Sequence, residues 1–327
     1  MTFRARPASA LVAGVCIVGL LASACTIKKK DNTKDLGGGS IKKISALKDA
    51  TIRVGSKEFD EEILLGDIAI DVLKAAGAKK VVDKTNIQGS TNVRQALTSN
   101  QIDLYWDYTG TVWITYLKKS GSVSFAADQE KLFEAVKAAD KANHVVWVDP
   151  APGSDTYAIA AKTDEAKKLN ISTISEYAAL AKKNPSDASL CTDSEFQSRD
   201  DGLPGVEKKY GFTLPTGNVK LMQSASVYTS VGKSCNFGVI FSTDGRIKSE
   251  NLQVLDDDKK FFPKYNIVLG MRENIDQKYP QLAGLFKPVA DKLTNETMVE
   301  LNKKVSTDGT DAAKVAQDWL KQEGFVS

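Results

Sequence analysis

TIRVGSKEFDEEILLGDIAIDVLKAAG, residues 51–77, holds the first strand and the first helix of the chain. Thr51–Val54 is a short β-rich run ending at Gly55. From Glu61 onward, Ile63, Leu64, Ile68, Val72 and Leu73 share one side of a 3.6-residue period, which Gly77 stops. The same rhythm continues outward as a strand at 80–84, a helix at 93–98 and a strand at 102–105. It returns later as strands at 157–161, 188–191, 218–221 and 236–241, separated by helices at 175–183, 204–210 and 225–232. Such alternation predicts mainly parallel sheets flanked by helices, and the two runs predict two α/β lobes of similar construction. The tail from Pro280 reads as mostly helical and ends in AAKVAQDWLKQ, residues 312–322.

Composition narrows the chemistry. The 327 residues leave room for two domains of ordinary size. Lysine and arginine number 44 against 41 acids, a net charge of +3 without blocks of one sign, so there is no concentrated basic face for nucleic acid. His144 is the sole histidine, which removes most histidine zinc sites and any catalysis needing two imidazoles. The four cysteines, Cys16, Cys25, Cys191 and Cys235, have no CxxC spacing. No cofactor or metal is expected, and Asp256–Asp258 lacks the spacing of a calcium loop.

Residues 1–24 read as a signal peptide. Arg4 and Arg6 precede the apolar stretch ALVAGVCIVGLLA at 10–22, which is too short to span a bilayer. Ala22-Ser23-Ala24-Cys25 resembles the bacterial lipobox, with Ala22 where leucine is usual, so Cys25 is the expected lipidated residue. The alternative is an ordinary secretory cleavage after Ala24. Residues 25–49, with Lys28–Lys30 and Gly37-Gly38-Gly39-Ser40, read as a flexible tether at the membrane. In an exported chain the remaining Cys191 and Cys235, each at the edge of a predicted strand, are expected to pair; two buried thiols are the alternative.

Seven collinear blocks carry a resemblance: VGSKEFDEEILLG (54–66), the Gly89-Ser90-Thr91 region, IDLYWDYTGT (102–111), GSDTYAIA (153–160), SEFQSRDDGLPGVEKKYGF (194–212), FSTDGRI (241–247) and DDDKKFFPKYN (256–266). Over about 51–326 the chain resembles the binding proteins of ABC transporters for glycine betaine, proline betaine, carnitine and choline. The resemblance implies a two-lobed periplasmic-binding-protein (type II) fold, lobe I comprising 51–155 plus 258–327 and lobe II 156–257, with the ligand between the lobes. It implies a monomer without enzymatic activity, anchored outside the cytoplasm, that hands its solute to permease subunits.

Quaternary ammonium is bulky and has no N–H donor, so aromatic faces suit it, each worth about 0.5–2 kcal/mol. Motif matching places the family's aromatic box at Tyr108, Tyr157, Phe241 and Tyr265, with Asp155 presenting a backbone oxygen to the cation. Phe241 stands where the family usually has tyrosine. The solute's carboxylate is expected at Lys57, Thr111 and Arg199. Trp106 and Trp113 read as core, and His144 as a surface or packing residue. Two other readings stay open: the same fold with a larger aromatic or planar ligand, and an exported hydrolase.

Overall fold

The computed structural model describes residues 36–119 and 128–327. The signal peptide, Cys25 and the first part of the tether lie outside the described residues. Ten strands are described in two five-stranded sheets. The first sheet comprises β1 (Thr51–Lys57), β2 (Lys80–Ile87), β3 (Leu104–Tyr108), β4 (Val145–Trp147) and β10 (Ile267–Arg272), in the order β2-β1-β3-β10-β4. The second comprises β5 (Tyr157–Lys162), β6 (Leu190–Thr192), β7 (Val219–Leu221), β8 (Phe237–Phe241) and β9 (Leu252–Val254), in the order β7-β6-β8-β5-β9.

In each sheet four strands run one way and the fourth in order runs against its neighbours, β10 in the first and β5 in the second. Each reversed strand is the first after a crossing between lobes, at 148–156 and at 255–266. The expected parallel character therefore holds except at these strands. No helix leads directly from a neighbouring strand into them, so the βαβ geometry that enforces parallel pairing does not apply. β10 escapes the periodicity reading because it is buried on both faces and does not alternate.

Helix α1 (Asp60–Ala75) is buried nearly all round, between the first sheet and the C-terminal helices Asn295–Ser306 and Ala312–Gln322. Its first turn, Asp60-Glu61-Glu62, complements the positive end of the helix, and both glutamates are buried. Helix α2 (Ser90–Thr98) begins one turn earlier than periodicity alone places it. Trp106 and Trp113 lie in the core of the first lobe. His144 is exposed and pairs with Glu273 at 2.7 Å.

Part of the stretch expected to be a free tether is docked. Ser40 and Ile41 donate their backbone N–H groups to Gly324 and Phe325, and Leu36 and Leu47 are buried. A Cβ on Gly39 would lie 2.2 Å from the Phe325 carbonyl oxygen, so the glycine allows this close approach rather than supplying flexibility. Cys191 and Cys235 are joined by a disulfide that ties β6 to the turn before β8, with Cα atoms 5.7 Å apart.

Candidate functional site

One cavity between the lobes is lined by all eight residues picked out by motif: Lys57, Tyr108, Thr111, Asp155, Tyr157, Arg199, Phe241 and Tyr265. Sheet geometry explains how they meet. Lys57 ends β1 and Tyr108 ends β3, two adjacent parallel strands. Tyr157 and Phe241 are direct partners on the antiparallel β5–β8 ladder, with ring centroids 5.0 Å apart. Tyr265 comes from the second crossing and meets Tyr157 edge to face at 5.8 Å. Gly110 makes room for it, because a Cβ there would lie 2.7 Å from the Tyr265 ring.

The two cations are already partnered. Lys57 Nζ lies 2.8 Å from both Glu62 Oε1 and Asp107 Oδ1. Burial works against its charge, but Asp107 and Glu62 outweigh it and hold its pKa above the usual lysine value. Asp107 also accepts hydrogen bonds from the hydroxyls of Tyr105 at 2.6 Å and Tyr116 at 2.8 Å. An ammonium has three donors, so one remains after these two bonds. Nζ also sits 4.6 Å from the centre of the Tyr108 ring.

Arg199 is held the same way. Its Nε and Nη2 grip Asp201 at 2.7 and 2.5 Å, Nη1 donates to Glu195 at 2.7 Å, and Nη2 reaches Thr111 Oγ1 at 3.3 Å. The last bond crosses from lobe II to lobe I. Tyr265 donates its hydroxyl to Asp201 at 2.6 Å, and the Arg199 guanidinium lies 5.5 Å from the Tyr157 ring.

Asp155 lines the cavity, but its side chain turns onto Thr243, accepting from the backbone N–H at 3.1 Å. The Thr243 hydroxyl lies 2.7 Å from Asp155 Oδ1 and 2.8 Å from Glu61 Oε2. A hydroxyl has one proton to give, so two carboxyl oxygens at these distances require a proton on one of the acids. Burial drives both pKa values up, although the hydrogen bonds to each oppose it.

Sequence reasoning missed Phe59, Glu61, Ser90 and Glu195. Phe59 stacks on Phe241 at 5.0 Å and also lines the cavity. It caps α1 without a side-chain cap bond, an unusual residue for that position and the one local hint of another duty. Glu61 receives the Tyr108 hydroxyl at 2.7 Å. It reads in sequence as an ordinary acid at a helix start.

Among the described residues no group of three potential ligands could hold a metal ion, and no helix is long and apolar enough to cross a membrane. The arrangement is a two-lobed clamp lined with aromatic faces. Residues 50–322 match the substrate-binding domain of ABC-type glycine betaine transport systems, and the chain belongs to that family. It is 34% identical over 282 residues to a glycine-betaine-binding protein of Pseudomonas aeruginosa, covering 84% of this chain and 89% of that protein. The structure of apo YehZ from Escherichia coli superposes with a TM-score of 0.61 at 31% identity, covering 85% of this chain and all of that one. A glycine betaine/carnitine/choline ABC transporter crystal structure gives 0.65 at 27% identity, covering 83% and 98%.

Proposed function

We propose that the chain captures a quaternary-ammonium solute of the glycine betaine type outside the cytoplasm and delivers it to the permease of an importer. The observation that carries this reading is the convergence of all eight motif-matched residues, from both lobes and both crossings, on one cavity. Tyr108, Tyr157, Phe241 and Tyr265 offer their faces to the methylated cation. The solute's carboxylate takes the donor left on Lys57, together with Thr111 and Arg199. Lipid on Cys25 keeps the domain at the membrane.

The cavity among these side chains holds about 30 Å³, room for little more than one or two waters. A solute with three methyl groups therefore enters with the lobes parted and closes them by touching both sides. Only contacts that differ between open and closed states favour closure, and the ring faces divided between lobes supply them.

Titration calorimetry with glycine betaine, proline betaine and choline tests the reading. The betaines bind, and more tightly than choline, if Lys57, Thr111 and Arg199 address a carboxylate. Micromolar affinity, about −8 kcal/mol, is within reach of several ring faces and two charged donors. Choline binding equally well would remove the carboxylate assignment, and silence from all three would remove the solute class.

A further inference from the structure

Lys42, Lys43 and Lys48 precede β1, and Lys74, Lys79 and Lys80 stand between the last turn of α1 and the start of β2. Backbone bonds lay the two segments side by side. Ile44 donates to the Ala76 carbonyl at 2.8 Å, Lys79 to that of Leu47 at 3.1 Å and Lys80 to that of Ala50 at 3.0 Å. The Lys43 stem passes 3.6 Å from where a Cβ on Gly77 would stand. All six lysines are exposed, and Asp49 is the one acid in the two segments. Lys74 pairs with Asp71 at 3.5 Å, and the other five make no ion pair among the described residues. Six lysines against one acid exceed the net charge of the whole chain, +3, so the fold gathers on one face what the sequence leaves in two groups.

This face lies at the end of lobe I away from the cleft. β1 starts beside it at Thr51 and reaches the cleft at Lys57, about 20 Å on. Helix α1 returns from Asp60, near the cleft, to Ala75 beside the lysines. The N-terminal approach to lobe I ends here too. Leu36 is buried, Ser40 and Ile41 are bonded to Gly324 and Phe325, and Lys42 and Lys43 follow directly. Leu36 lies eleven positions after Cys25, a stretch that reaches about 40 Å at most. A lipid on Cys25 therefore confines this end of lobe I to the neighbourhood of the bilayer.

We infer that this lysine face docks on an anionic lipid surface and, while docked, turns the cleft away from the bilayer. The inference rests on the reading of Cys25 as the lipid anchor, which brings the face within reach. Each exposed lysine near an anionic membrane adds to the attraction, and salt screens it. An ammonium on a flexible stem meets phosphates as a point charge, which suits a fluid array of headgroups. Handing solute to a permease then requires release from the lipid, and a contact made of exposed charges permits it.

Vesicle co-sedimentation tests it on the chain from residue 25 onward carrying Cys25→Ser, with phosphatidylcholine vesicles alone or mixed equally with phosphatidylglycerol. Lipid attachment is judged apart, on membranes washed in about 1 M salt, where the screening length is about 3 Å and the lysine contact is lost, so the two readings fail separately. At low salt the anionic vesicles should bind about tenfold or more tighter than the neutral ones. Lys42→Gln, Lys43→Gln, Lys79→Gln and Lys80→Gln together should weaken that binding about tenfold or more. Should the quadruple variant fold poorly, the pairs 42/43 and 79/80 are tested apart, each expected to cost about threefold or more. Acetylation on anionic vesicles should spare these four lysines and leave Lys208, exposed on lobe II, as reactive as in solution. Equal binding to neutral vesicles, or binding that survives the substitutions, would overturn the inference. So would equal protection of Lys208, or equally tight binding to a short DNA duplex, which would make the face a general polyanion surface.

Discussion

The carboxylate of Glu195, in lobe II, accepts hydrogen bonds from the backbone N–H and the hydroxyl of Ser90, the first residue of α2 in lobe I. Helix α2 has no acidic residue in its own first turn, and Glu195 of the opposite lobe joins Glu58, which accepts from the N-cap Gly89 N–H at 2.9 Å, in complementing its positive end. The Glu195 contact exists only when the lobes meet. Burial opposes the Glu195 charge, but Arg199 and Ser90 outweigh it and hold the pKa below the usual value. Glu195 is thus a clasp that works as an anion.

Glu195→Ala should loosen closure. The lost cap is worth about 1 kcal/mol, or about fivefold in betaine affinity. Small-angle scattering should show a more open molecule without solute. Unchanged affinity and an unchanged scattering profile would mean that the clasp contributes nothing to closure.

Tyr157→Ala removes a ring that touches Phe241 and Tyr265 and faces Arg199. The expected loss is ~1–2 kcal/mol, about five- to thirtyfold in affinity. Phe241→Tyr keeps the π-face and should bind within about twofold of wild type. Calorimetry on both variants checks the pair, and full affinity in the alanine variant would take Tyr157 out of the site.

Closure should take up a proton. Glu61 from lobe I meets Thr243 from lobe II, beside Asp155 on the crossing, and the hydroxyl between them serves only one carboxylate. Asp244 pushes both acids further up, Tyr108 and Asn302 donate to Glu61, and Arg246 is spent on Asp244 and Asp60. A pKa raised in the closed state gives stability that is complete below the ordinary carboxylate range of about 4 and is lost as pH rises through the raised value. Betaine affinity should therefore fall with rising pH across that window, and Glu61→Gln should flatten the fall. Calorimetry in buffers of different ionisation enthalpy counts the protons, and a count of zero contradicts the shared-proton account.

Cys25→Ser should leave the protein unlipidated. Membrane fractionation reads the outcome: the variant is expected in the soluble fraction, and its retention with the membrane would refute lipid anchoring at this residue.

Local pattern in the sequence determined the alternation of strands and helices and the helical tail, and motif resemblance marked Tyr108, Tyr157, Phe241 and Tyr265 around the cleft but not Phe59. These depend on spacing within short windows, where the 3.6-residue period of α1 or a block such as YTGT carries its own information. Tertiary structure decided the direction of β5 and β10, because a strand that follows a crossing between lobes is paired by the sheet it joins and not by the segment before it. It also decided the electrostatics. Lys57 and Arg199 stand in the sequence as two cations available to a carboxylate, yet Lys57 finds Asp107 fifty positions away and Arg199 shares Glu195 with Ser90 of the other lobe. Burial makes an unpartnered charge costly, so the folded chain gives each cation its counter-charge from wherever the fold brings one near.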